Sequence, residues 1–176
     1  NTRAYLTVDG IDRTKLELKD DPKRTGVYTM KFNIVNISDS PVSYNLGIIG
    51  MTETVSTADD KHIAEKDQLL NDNYTAKVNG NGSIKGKQVT VDANGTLSVE
   101  LTYTLTSAEK KMIDSLFPYG MYVEGFVTLD PVDAKDVKLN APFLAFYGDW
   151  TEAPMFDKTY YEVETTAHDD AIDDDD

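Results

Sequence analysis

The densest candidate chemistry lies at residues 139–157, LNAPFLAFYGDWTEAPMFD, where Asp149 sits among Phe143, Phe146, Tyr147 and Trp150. Aromatic side chains in that number could line a ligand pocket, and a carboxylate beside them could act on a bound sugar. Glycoside hydrolysis needs two acids flanking the scissile bond. Glu124, set among the aromatics of FPYGMYVEGFVTL (117–129), is the second candidate. The competing reading makes Asp149 a turn residue after Phe146-Tyr147-Gly148 and leaves Glu124 facing outward or paired with a lysine. With 31 acidic residues in the chain, some pair of carboxylates is always available. The turn reading is therefore the simpler one.

Nucleophilic catalysis requires a serine or threonine held near a histidine and an orienting acid. The chain has two histidines: His62 in the polar stretch TADDKHIAEKD and His168 in the acidic C-terminal run. Neither accompanies a G-x-S-x-G elbow, and both read as solvated surface residues. The absence of cysteine excludes disulfides, thiolate zinc sites and cysteine nucleophiles. Hard oxygen ligands suit calcium, and DDAIDDDD (169–176) is rich in them. It has neither the EF-hand spacing nor its glycine, so weak, millimolar-type calcium binding by the acidic tail is the expectation. No catalytic residue, cofactor-binding residue or metal ligand is assigned. NGNGS (79–83) lacks the Gly-Lys-Ser/Thr ending of a phosphate loop. Four Asn-x-Ser/Thr sequons, at Asn36, Asn73, Asn81 and Asn94, arise readily in turn-rich sequence and carry little weight.

The elements that must position these residues are strands. Period-two alternation puts Tyr28, Met30, Phe32 and Ile34 on one face, then Val42, Tyr44, Leu46 and Ile48, then Leu97, Val99, Leu101, Tyr103 and Leu105. Such alternation builds antiparallel sheets with one buried and one wet face. Shorter strands are expected at 4–8, 15–19, 74–78, 84–91, 121–129 and 143–147. SDSP (38–41), NGNG (79–82) and DANG (92–95) punctuate them, and Asn94-Gly95 reads as a hairpin turn joining 84–91 to 97–105. TSAEKKMIDSLF (106–117) predicts one short helix, with Thr106 and Glu109 as a capping box and Met112, Ile113, Leu116 and Phe117 as its apolar stripe. Seven to nine strands and one helix describe an all-β antiparallel sandwich of the fibronectin type III/immunoglobulin-like kind. Its expected span is 1–157, with 158–176 an acidic linker or the start of a next module.

Length and composition agree. A chain of 176 residues suits one domain with a tail. Its net charge of −14, with six acids in the last eight positions, opposes the counterion-release term that drives nucleic-acid binding. No apolar run reaches the roughly 20 residues of a membrane span. No basic-then-apolar leader opens the chain, so any export signal is expected outside it.

Three segments carry a resemblance. FNIVNISDSPVSYNL (32–46), FPYGMYVEGFVTL (117–129) and APFLAFYGDWTEAPMFD (141–157) resemble, in that order, strands of fibronectin type III-like modules in cell-envelope serine proteinases of Gram-positive bacteria, the lactocepin and C5a-peptidase-like group. Ala145 stands where that pattern usually has glycine. Nothing in the chain resembles the Asp, His and Ser blocks of a subtilisin-like catalytic domain. The resemblance therefore implies an extracellular, non-catalytic accessory module. Its implied partners are the protease domain in cis, neighbouring fibronectin-like modules, and a protein substrate or host surface protein. A surface adhesin or carbohydrate-binding sandwich is the alternative; it asks for exposed aromatics in a platform, with Tyr119, Tyr122, Tyr160 and Tyr161 as candidates.

Overall fold

The computed structural model describes residues 2–8, 14–56 and 63–152. In chain order the elements are β1 (Ala4–Thr7), β2 (Leu16–Asp21), β3 (Val27–Asn36), β4 (Val42–Ser56), β5 (Ile63–Leu69), β6 (Tyr74–Gly80), β7 (Gly82–Lys85), β8 (Gln88–Val91), β9 (Thr96–Thr104), α1 (Ser107–Leu116), β10 (Met121–Pro131) and β11 (Leu139–Tyr147). They form two sheets. The first has the order β1-β3-β9-β6, and the second β2-β11-β10-β4-β8-β7 with β5 on the free length of β4.

The alternation read from sequence becomes the core between these sheets. Tyr28, Met30, Phe32 and Ile34 from β3, with Leu97, Val99, Leu101 and Tyr103 from β9, are all buried. They meet Val42, Tyr44, Leu46 and Ile48 of β4 and Val123, Val127, Phe143 and Tyr147 of β10 and β11. Burying each such side chain contributes on the order of 1.5–3 kcal/mol. An all-β sandwich with one short helix is the architecture found.

Four details differ from expectation. Residues 84–91 are a hairpin rather than one strand: Gly86, at φ +61°, turns β7 into β8. Asn94-Gly95 is not a hairpin turn. Asn94 does take positive φ, +53°, but β8 pairs with β4 and β7 whereas β9 pairs with β3 and β6. The turn therefore carries the chain from one sheet to the other. Turn chemistry was legible; which sheet the next strand joins depends on partners distant in sequence. The third difference is parallel pairing of β2 with β11, broken by an irregularity between Leu144 and Phe146. Finally, eleven strands are described rather than seven to nine, because 84–91 splits into two and β5 forms from polar sequence recruited by the β4 edge.

Two glycines hold the middle of the second sheet close to its neighbours. Gly125 of β10 has φ +152°, and a Cβ there would lie 1.8 Å from the Ile49 carbonyl oxygen of β4. Gly50 leaves room for Tyr103, whose Oη would lie 2.2 Å from an added Cβ. Tyr103 thus reaches from the first sheet to the second, stacks obliquely on Phe143 at 6.0 Å, and donates to the Asn71 carbonyl at 2.9 Å.

The ends are tied by polar contacts. At one end α1 joins β9 to β10 with the expected capping box: Glu109 N–H donates to Thr106 Oγ1 at 3.2 Å, and Thr106 N–H donates to Glu109 Oε2 at 2.7 Å. Ile113 is its one fully buried residue; Met112 and Phe117 pack part-buried on the core. Partial burial favours the neutral Glu109, yet hydrogen bonds from Thr106 and Asn71 outweigh it and hold the carboxyl below its usual range. At the opposite end Arg3 forks onto the buried Asp136, with both N···O distances 2.6 Å, locking the N-terminal segment to the β10–β11 connection.

Candidate functional site

Asp149 is a turn residue. Its Oδ1 accepts from Thr151 N–H at 2.8 Å and Thr151 Oγ1 at 2.6 Å, and these bonds hold the carboxyl below its usual range. That is the opposite of the raised pKa a general acid needs. Just before it, Gly148 exchanges backbone hydrogen bonds with Asp21 at 3.1 and 3.2 Å, pinning the end of β11 to the end of β2. Tyr147 turns inward. Burial, with Asp114 nearby, pushes its phenol up to about 12, and Arg24 lies over the ring at 5.7 Å.

Glu124 faces outward from β10, exposed, as the simpler reading expected. Among the described residues no lysine pairs with it, and its side chain makes no ion pair or hydrogen bond. Tyr122 lies on that same outer face, whereas Tyr119 stands exposed in the turn after α1 and outside the aromatic cluster. Of the sequons, Asn36 is buried and its Nδ2 donates to the Ser40 and Asp92 carbonyls, both at 2.9 Å, which leaves that nitrogen no room for a glycan. Asn73, Asn81 and Asn94 are exposed. His62, His168, Tyr160, Tyr161 and the acidic run at 169–176 lie outside the described residues, as does the 157/158 boundary.

Trp150 packs against the outside of the corner after β11. Its ring meets Phe146 edge-to-face at 5.0 Å and Tyr122 at 5.4 Å, while Tyr122 and Phe146 are 5.3 Å apart. Such pairs contribute about 0.5–1.5 kcal/mol each beyond area burial. Trp150 nevertheless remains 56% exposed. Beside it runs an open groove of ≈ 500 Å³ against β2, bordered by Glu17, Lys19, Asp20 and Leu144.

From this corner an apolar swath crosses the outer face of the second sheet. Strand register aligns Met51, Glu124 and Leu144 in one row and Ile49, Phe126 and Pro142 in the next. Ile49 and Phe126 are 43% and 39% exposed, values that mark them as surface rather than core. The first sheet's outer face is unlike it. There Glu100 sits between Lys31 at 3.4 Å and Lys77 at 2.9 Å, Ser98 donates to Asn33 at 2.7 Å, and Thr29 meets Thr102 at 3.2 Å.

The sequence held a signal for the apolar face that alternation concealed. LGIIGM (46–51) and APFLAF (141–146) are apolar at both phases of the strand period, and continuous apolar runs mark strands covered on both faces.

Comparison with known proteins agrees with this architecture. A family model described as "Fn3-like domain" matches residues 16–144. The chain is 30% identical over 84 residues to a PII-type proteinase of Lactococcus lactis subsp. cremoris, a match covering 48% of this chain and 4% of that protein. A PII-type proteinase of Lacticaseibacillus paracasei matches to the same extent. The chain thus matches only a small part of the length of these relatives. Among solved structures, Spo0M, a sporulation control protein from Bacillus subtilis, superposes with a TM-score of 0.48 at 10% identity, covering 85% of this chain and 51% of that one. With the family model spanning most of the sandwich, from β2 to within β11, the chain belongs to the Fn3-like domain family.

Proposed function

We propose that this chain is a non-catalytic accessory module of an extracellular, cell-wall-associated subtilisin-like serine proteinase, bracing the catalytic domain in cis and influencing which protein substrates reach its cleft. The observation that carries the reading is the combination of Fn3-like membership with similarity to a segment of the lactic-acid-bacterial proteinases. The two acids weighed as catalytic support it: Asp149 is consumed by a turn and Glu124 stands on an open apolar face. The mechanism is geometric. A rigid sandwich, cross-linked at its ends by Arg3–Asp136 and by the Glu109 cap, offers a fixed surface against which a larger domain is held.

Deleting residues 1–157 from the protein that carries them is expected to impair folding or display and to change preference among protein substrates. Unchanged folding, display and preference would refute the reading. The exposed Trp150 beside Tyr122 gives a second reading some support, that of a carbohydrate-binding module, since sugars stack on such rings. Retention on a glycan array that is lost in Trp150→Ala would favour it.

A further inference from the structure

We infer that the outer face of the β2-β11-β10-β4 sheet is the docking surface of the module, and that its occupant is a folded protein surface, apolar and carrying an arginine or lysine that meets Glu124. The inference rests on the accessory-module reading and names the surface that reading requires.

Contiguous exposed apolar side chains on a domain surface mark interaction sites. Here the face combines Ile49, Met51, Phe126, Pro142 and Leu144 with the corner where Tyr122 and Trp150 pack over the buried Phe146. The aliphatic rows offer methyl and methylene groups, which pack on other apolar side chains and give nothing to sugar hydroxyls. The three rings are packed on one another within 5.4 Å, so no flat stacking platform extends across the face.

Glu124 selects the partner's charge. It stands in the middle of this surface, with Met51 and Leu144 as cross-strand neighbours and Tyr122 and Phe126 two residues away on the same strand face. Covering it without a partner would strand a desolvated carboxylate, a strongly unfavourable state. A cation from the covering surface resolves this with a charge-assisted hydrogen bond.

The same charge excludes two other occupants. A second copy of the chain, docked face to face, would bring another Glu124 and a net charge of −14 against the first. The chain's own residues 153–176 contain nine acids and one lysine, Lys158, so they too would bring mainly negative charge to an acidic centre.

The test places a benzophenone photo-cross-linker at Phe126, at Ile49, or at Thr102 on the first sheet, each in the full-length protein that carries the chain. Adducts are mapped by mass spectrometry. Phe126 and Ile49 are expected to cross-link to a segment outside residues 1–176 of the same polypeptide, with arginine or lysine nearby, and Thr102 to cross-link little. Glu124→Lys should lower the yield from Phe126 by about tenfold or more, and Glu124→Gln by less. Glycan adducts, adducts within 153–176, adducts to a second copy, adducts from Thr102 alone, or no adduct from any position would each overturn the inference. So would a yield insensitive to Glu124→Lys. Proteolysis by the same full-length protein is assayed separately. Cross-links to a domain in a protein without protease activity would refute the accessory reading while leaving the docking face standing.

Discussion

The two outer faces of the sandwich are made from strands of the same kind and have opposite chemistry. On the first sheet, cross-strand neighbours are Lys31 and Lys77 around Glu100, Ser98 with Asn33, and Thr29 with Thr102. Every one of these polar groups has a cross-strand partner. On the second sheet the corresponding positions are Ile49, Phe126, Pro142, Leu144 and Met51, around a carboxylate with no partner among the described residues. Stability alone does not require this difference, because the inward residues of both sheets already form one continuous core. The first face is complete in water. The second is complete only when covered.

Substitutions can break this comparison at several depths. The largest effect is expected from Gly125→Val. Its Cβ would collide with the Ile49 carbonyl, and positive φ disfavours a β-branched residue, so β10 would separate from β4 and the loss should exceed about 4 kcal/mol, or folding should fail. Urea unfolding checks this, and a mild effect would mean that the close β4–β10 approach is not what holds these two strands together. Leu101→Ala, in the shared core, should cost about 2–5 kcal/mol and leave both outer faces unchanged in chemistry. Tyr103→Phe removes the hydrogen bond to Asn71 and should cost about 1 kcal/mol, since the ring and the space left by Gly50 are retained.

The outer faces themselves should respond least in the isolated chain and most differently in the assembled protein. Phe126→Thr is expected to cost the isolated module about 1 kcal/mol, from lost cross-strand packing on Ile49 and Pro142, while weakening its docking much more. Glu100→Gln should leave both the melting temperature and docking unchanged, because its lysine pairs are solvent-exposed. A loss of docking in Glu100→Gln with none in Phe126→Thr would reverse the assignment of the faces.

Acid should act through the end shared by both sheets. The carboxyl of Glu109 is held below its usual range in the folded chain. Its contribution is therefore fully present above the unfolded carboxylate pKa and is lost as pH falls through the lower folded value. Glu109→Gln, which can still serve in a capping box, should flatten the acid limb of a melting-temperature profile. An unaltered limb would place that pH dependence elsewhere.

Much of the fold was legible in the residues. Strict alternation in β3 and β9 assigned every inward apolar side chain correctly, because one-face burial imposes a period of two; Asn36, the buried polar end of β3, escaped it. Thr106 and Glu109 announced the helix cap for a similarly local reason. What stayed hidden was non-local. Asn94-Gly95 specified a turn but not a destination, and β5 owes its existence to the edge of β4 rather than to its own pattern. Asp149 was rightly read as a turn residue, since Asp before Thr151 satisfies its carboxylate locally. The apolar face was harder, because in LGIIGM and APFLAF the inward and outward positions are both apolar and look like core.

Hydroxyl-radical footprinting tests the assignment of the faces most directly, comparing the isolated chain with the full-length protein that carries it. Phe126, Leu144, Met51 and Trp150 are expected to be oxidised readily in the isolated chain and protected in the full-length protein, with Lys31, Lys77 and Thr102 equally reactive in both. Protection confined to the first sheet, or no change on the second, would contradict the claim that the apolar face is the one that is covered.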